Sequence, residues 1–548
     1  MRQRNIAIIT LLTTAIIYII FLIVYANSTY PYIGHDFSYF LPRLLDSFLY
    51  YKMNGFSIQW YTPTFGGGFP AYPNPQHTQF TLPQLYMLVI NPWWATLATS
   101  GTFILIGFFS TYYFFRSILK FSPLTSSLGA ILFNINGFIF SRTLVGHLGY
   151  LTFPLFPILL IAFTHQKLPE LIKGIIAALL LALLIHSGGF YVLVIFGLSL
   201  LIVLPIMPLI CPDILSVKKL VFSFLWTLLF TALLTGSKIY STLSFMRFFP
   251  RIVKEEYNVY FIKGLLGIGL QFISQTIIIP AVKLMGGDVL KFEAFAQNIS
   301  GNQYPLWGFD MSLSPALFLI FLLGIYNFLR HSKQLRINIT GKMIALVVLV
   351  IVGLWITTEF RLTQGWIYPV LKKFPLFQSM RVNIRYASAY MFPMVLVGVW
   401  MFEKIQHRFA YKYKLTYFFV FSLTTLLSQL SYILINPQTF FMLNYNVTQS
   451  IDTYTKIKQG KNYPIEKLII NDDIFNLLPL TQNASDLYPY EPLLGNKFKS
   501  FHPEVHPGLT REQMNGYFNI TNPSSLVYPK ENKTYPFERI KISEANNF

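Results

Sequence analysis

One cysteine, Cys211, stands in 548 residues. That excludes an intramolecular disulfide and a thiolate metal cluster. Charge is scarce as well, at 12% of residues against about 25% in a soluble domain. Acidic groups are the rarer sign, 22 against 42 basic, which leaves a net charge of +20. The basic residues gather in short loops between apolar runs, where membrane topology and anionic lipid headgroups account for them better than nucleic acid does. No zinc-ligand spacing, no nucleic-acid module, no heptad and no repeat of fixed period occurs. The run Gly66-Gly-Gly lacks the lysine of a phosphate-cradling loop. With Pro63, Pro70, Pro73 and Pro75 it reads as fixed turn structure.

What is present is apolar. Hydrophobic residues make up 54% of the chain and aromatics 17%, and mean hydropathy is +0.50. Apolar runs lie near 6–26, 97–115, 122–140, 148–164, 174–189, 191–210, 220–243, 313–329, 343–358, 387–402 and 415–436. The composition and these runs predict an all-α polytopic membrane protein with about 11 transmembrane helices. A cleaved signal peptide is the alternative for the first run, although its apolar stretch is long and no small-residue cleavage site is clear. With a cytoplasmic N-terminus, every basic loop falls inside, as the positive-inside rule asks. The loops 27–96, 244–312 and 359–386 then face outward, as does the tail 437–548. The stretch Gly264 to Leu284 is apolar but carries Gln271, Gln275, Pro280 and Lys283. A lone crossing there would reverse the following topology, so it is expected to lie on or dip into the outer leaflet, or to be one of a pair. The tail is polar and shows short strand patterns at Lys467-Leu-Ile-Ile and Ser525-Leu-Val-Tyr. A small external α/β or β-rich unit is expected, beside a membrane domain spanning 1–436.

Candidate chemistry collects at the outward ends of the spans. Asp36 sits about ten residues beyond the first run, between His35 and, further on, Arg43 and Asp46. A carboxylate next to a span is costly and usually functional, and it suits a general base. The competing reading is a helix N-cap. If 36–50 is helical, Asp36, Phe40 and Arg43 share one face, with Pro42 against that helix. Arg381 and Arg385 lie four apart before a span. On a helix starting near Ser379 they would project together and grip a phosphate; anchoring to lipid headgroups is the alternative. Arg142, His147, His186, Lys238 and Asp310 fall on the same side. Each alone fits a satisfied interfacial residue, and their collection on one face is the informative part. His35, Asp36 and His77 have the donor types for a divalent metal, but no spacing demands one.

The stretches Gly34-His-Asp, Gly67-Gly-Phe-Pro with Asn74-Pro, Gly146-His-Leu-Gly-Tyr with Phe156-Pro, His186, Phe374-Pro to Arg385-Tyr, and Tyr490-Glu-Pro-Leu-Leu-Gly resemble the GT-C superfamily. Within it, the chain is similar to YfhO-type proteins and related polyprenyl-phosphate-sugar glycosyltransferases. The order of these stretches along the chain carries the resemblance more than any one of them. It implies an inverting transfer of a sugar from a polyprenyl-phosphate carrier to an envelope glycan, lipid or protein acceptor on the outer face of a bacterial inner membrane. By that resemblance Asp36 is the catalytic base. Arg381 and Arg385, and less directly Lys238, hold the lipid phosphate. His35, His147 and His186 shape the sugar pocket. Arg43, His77, Arg142 and Asp310 complete the expected substrate-binding set. Glu255, Glu256 and Asp310 compete for the second acidic position that many members carry. A flippase or transporter of lipid-linked sugar is the first rival reading, and a non-catalytic envelope assembly protein the second.

Overall fold

Backbone N–H and C=O groups have no water to bind in hydrocarbon, so apolar runs of this length must close their hydrogen bonds internally, as helices. The computed structural model describes residues 2–25, 34, 36–62, 64–65, 69–248, 261–300, 310–331, 337–359, 366–380, 382–407, 409–430, 447–459, 467–469, 477–482, 484–486 and 508–509. Each apolar run coincides with helix there, the last as far as Leu430. Among the described residues seven helices are long and apolar enough to cross a bilayer, and Leu148–Thr164, Pro315–Asn327 and Met343–Glu359 are shorter apolar helices. This is a helical integral membrane protein.

In chain order, α1 is Arg2–Tyr25, α2 Phe37–Asn54, α3 Leu82–Tyr86, α4 Pro92–Tyr113, α5 Pro123–Asn134, α6 Gly137–Val145, α7 Phe156–Thr164, α8 Glu170–His186, α9 Phe190–Ile210 and α10 Val217–Phe248. The central span is broken. Its α5 half ends at Asn134, and Asn136 restarts the helix as an N-cap, its side chain accepting from Ile139 N at 2.9 Å. Asn favours a cap over a helix interior for that reason. The whole span Pro123–Val145 is buried, enclosed by α1, α4 and the helices Met391–Gln406 and Tyr411–Leu430.

The stretch that was ambiguous in sequence forms α11, Phe261–Ile273, a π turn, and α12, Ile279–Leu284; α13, Val289–Ser300, then returns against both. By length and composition Ile262–Leu284 is itself long and apolar enough to cross a bilayer. Residues 311–313 lie along it, with Met311 N donating to Gln271 O at 3.3 Å and Leu313 N to Phe272 O at 2.9 Å.

The first loop is built, not slack. Pro42 does lie inside α2, against the expectation for a helix interior, where proline costs about 3 kcal/mol. Burial of most of the α2 side chains offsets that cost. Strands β1, Tyr61–Thr62, and β2, Phe69–Pro70, pair antiparallel beyond α2. The buried Asp46 holds the turn: it accepts from Gln59 Nε2 at 2.8 Å, Thr62 Oγ1 at 2.8 Å and Thr64 Oγ1 at 2.6 Å.

Described parts of the tail dock on this loop. In the helix Val447–Gln459, the Tyr454 hydroxyl donates to Met87 O at 2.7 Å, and Lys52 Nζ donates to Ile457 O at 2.5 Å. A cation at a helix C-terminus is favourable. Lys467–Ile469 forms β3 as its sequence suggests, parallel to β4, Ala484–Asp486, and antiparallel to β5, Gly508–Leu509. Asp486 N donates to Thr64 O at 3.0 Å. Ser525 lies outside the described residues.

Candidate functional site

Two glycines dock the start of α2 against the end of α6. Gly34 N donates to Leu144 O at 2.9 Å, and a Cβ on Gly34 would lie 2.2 Å from Val145 Cα. Gly146 closes α6 at φ 89°, and a Cβ there would reach 2.7 Å from the Phe37 ring. Only glycine takes that left-handed turn without strain. The interlock brings the residue two past Gly34 against the residue after Gly146. These are Asp36 and His147, whose carboxylate Oδ2 and imidazole Nε2 pair directly.

Asp36 stands at the N-cap position of α2, yet its side chain makes no cap bond. The carboxylate turns to His147 instead and keeps 21% side-chain exposure, against 7% for His147. The other imidazole nitrogen, Nδ1, lies 3.1 Å from Nη1 of Arg142. Arg142 is 1% exposed and stacks on Phe138, 5.2 Å from its ring centre. Burial pushes the pKa of His147 down to about 3, against the pull of Asp36, with Arg385 and Arg142 adding to the fall. The imidazole is neutral at ordinary pH.

Arg385 enters from the other side of the bundle. The expected α-helix is not there: a short helix ends at Ser379, and the chain resumes as a 3₁₀ turn over Asn383–Tyr390. Arg381 lies outside the described residues, as do His35, Glu255 and Glu256. Arg385 Nη1 donates to the Tyr150 hydroxyl at 2.9 Å, and its guanidinium lies 5.1 Å from the Tyr150 ring and 5.8 Å from that of Tyr191. It is close enough to interact electrostatically with Asp36 and with Arg142.

Asp310 sits at the opposite end of α6. Its Oδ1 accepts from Ser312 N at 2.9 Å, and its carboxylate covers Gly137, where any Cβ would overlap it. Arg142 lies between the two acids and feels both electrostatically.

The remaining expected residues gather elsewhere, around the turn of the first loop. The Arg43 guanidinium lies 3.7 Å from the Phe65 ring centre. His77 is buried, with Nε2 3.2 Å from Ser47 Oγ and 3.3 Å from Gln59 Oε1. Burial, then Lys238 and Arg43, hold its pKa well below the usual histidine range. Lys238 Nζ reaches across from α10 to donate to Tyr72 O at 2.5 Å and Asn74 O at 2.7 Å. His186 Nε2 donates to Leu234 O at 3.4 Å, and its ring lies 5.9 Å from that of Phe80. Among the described residues no three His, Cys, Asp or Glu side chains come together at metal-holding distance.

The site therefore divides in two. Asp36, Arg142, His147 and Arg385 form one group, with Asp310 behind it; Arg43, His77, His186 and Lys238 brace the first loop. Two residues with a part in the first group were not singled out in sequence, Tyr150 and Tyr191. Tyr150 lies inside the Gly146-His-Leu-Gly-Tyr stretch, so a signal was available; Tyr191, amid an apolar span, left none.

No protein-family model and no curated protein matches the chain. Among solved structures, it is similar to the crystal structure of ArnT from Cupriavidus metallidurans bound to undecaprenyl phosphate. The identity is 11% over 87% of this chain and 84% of that one, with a TM-score of 0.39.

Proposed function

We propose that the protein is an inverting glycosyltransferase of the GT-C type, using a polyprenyl-phosphate-linked sugar at the outer face of the membrane. One observation carries the reading. A part-exposed carboxylate, Asp36, stands at the end of a buried bundle within electrostatic reach of a buried guanidinium, Arg385. That is a base beside an anion site, and glycosyl transfer from a lipid phosphate needs both. Asp36 takes the proton of the acceptor hydroxyl. The acceptor oxygen bonds the anomeric carbon as the bond from that carbon to the phosphate oxygen breaks. The phosphate leaves with the bonding pair and meets Arg385, and Arg381 is proposed to share the load. The donor's apolar tail stays in the outer leaflet, in keeping with the cytoplasmic N-terminus and external tail proposed from the basic loops.

The test is transfer of labelled sugar from isolated polyprenyl-phosphate-sugar to membrane acceptors. Asp36→Asn is expected to lower transfer by about 100-fold or more, the usual contribution of a positioned base. Equal transfer by wild type and Asp36→Asn would end this mechanism. Lipid-linked sugar moving between leaflets with no transfer in either protein would favour a flippase.

A further inference from the structure

We propose that Arg142 and His147 are a positioning pair for Asp36: the guanidinium fills the one lone pair of the imidazole, so His147 can only donate to the carboxylate and cannot relay a proton. The proposal rests on the transferase reading above for its consequence, and on geometry for its existence.

The geometry fixes the tautomer. Arginine has N–H donors and no acceptor. Its Nη1 lies 3.1 Å from His147 Nδ1, so Nδ1 must be the bare nitrogen. The imidazole proton is then on Nε2, the atom that faces Asp36 Oδ2. Charge supports the same state. Arg142 interacts with Asp36 and Asp310, and Arg385 with Asp36, while burial pushes the Asp310 carboxyl up to about 7. A protonated His147 would add a third cation beside two guanidiniums in a buried place. Among the described residues, the groups seen facing His147 include Asp36 ahead of α2, Arg142 on α6, and Arg385 with Tyr150 between them.

The consequence is a division of labour unlike that of a serine–histidine–aspartate triad. There the carboxylate orients an imidazole whose second nitrogen is the base. Here Arg142 has closed that second nitrogen. The imidazole orients, and the carboxylate is the base. When the acceptor O–H bond breaks, its proton goes to Asp36 and leaves later to solvent. Its bonding pair enters the new glycosidic bond. No proton passes through His147.

The decisive experiment is ¹⁵N spectroscopy of imidazole-labelled protein in nanodiscs, with the His147 signals assigned by their loss in His147→Gln. One bare and one protonated nitrogen are expected, unchanged from about pH 8 to about pH 5. Arg142→Met removes one of the cations that lower the His147 pKa, so that pKa should rise, while burial, the larger cause, remains. The acid limb of transfer should move to higher pH, because a charged imidazole makes Asp36 a weaker base. Arg142→Lys, which still donates, should keep His147 unprotonated and covers the case in which Arg142→Met does not fold. His147→Gln offers an amide N–H to Asp36 and an amide oxygen to Arg142, so it should keep transfer within about tenfold of wild type. His147→Leu should lose about 100-fold, the scale of a misplaced catalytic group. A His147 that titrates normally in wild type, or carries its proton on Nδ1, overturns the proposal, as does an acid limb unmoved by Arg142→Met. The spectra need no substrate. If they are as expected and wild type transfers nothing, the transferase reading falls and the pairing stands.

Discussion

Asp46→Ala is the sharpest test of how the first loop is held. Asp46 is 1% exposed and receives three donors, from Gln59, Thr62 and Thr64. Alanine leaves all three in a buried place with no acceptor. At about 1–3 kcal/mol for each orphaned donor, and with two hydroxyls free to turn toward other acceptors, a local destabilisation of about 3–6 kcal/mol follows. Asparagine is milder. Its one oxygen still serves the threonines while its amide confronts that of Gln59, for about 1–3 kcal/mol. The reporters are the amides of Ala71 and Tyr72, which donate to Trp60 O and Gln59 O at 2.9 Å each. A loss of about 3 kcal/mol raises the open population of the loop by about 100-fold, which hydrogen exchange in nanodiscs reads directly. Asp46→Ala should speed exchange at Ala71 and Tyr72 by at least that factor and leave the helix Met391–Gln406 unchanged. Exchange at wild-type rates would show that the turn does not depend on this carboxylate, and the hub described above would be wrong.

Two further predictions concern the interlock and pH. Gly146→Ala forces a side chain into a left-handed turn 2.7 Å from Phe37; thermal stability should fall by about 1–3 kcal/mol and sugar transfer should drop, since Phe37 follows Asp36 directly. Gly55→Ala, whose Cβ meets nothing within 4 Å at φ +69°, supplies the control for backbone strain alone. His147 is held near a pKa of 3 when folded, by burial first, but returns to about 6.5 when unfolded. A depressed folded pKa means the unfolded state binds more protons, so the stability is fully present above about pH 6.5 and is lost as pH falls toward 3. Thermal melts from pH 7.5 to 5 should show it, and His147→Gln should flatten the slope; a melt independent of pH in wild type would refute it.

Much of the membrane part was legible because one physical rule writes it. Hydrocarbon forbids unpaired backbone, so every long apolar run is helix as far as it is described. The scarcity of charge marked the few ionisable groups worth attention, Asp36 above all. Other features were out of reach. Pro42 argued against α2, and only the burial of that helix overrode it. The spacing of Arg381 and Arg385 suggested a pair on one helical face; Arg381 lies outside the described residues, Arg385 stands on a 3₁₀ turn, and the partner found for Arg385 is Tyr150, from a distant segment.

The sequence by itself determined that this is a helical membrane protein and which few charged residues fall in or near its spans. The tertiary structure decided which of them meet. Arg43, Asp36 and His77 come from one loop, yet Asp36 joins Arg142 and His147 while the other two brace the turn around Asp46. That choice is made by two glycines, Gly34 and Gly146, whose missing side chains let two backbones touch. A contact of that kind depends on how close the segments approach in space, and spacing along one chain does not encode it.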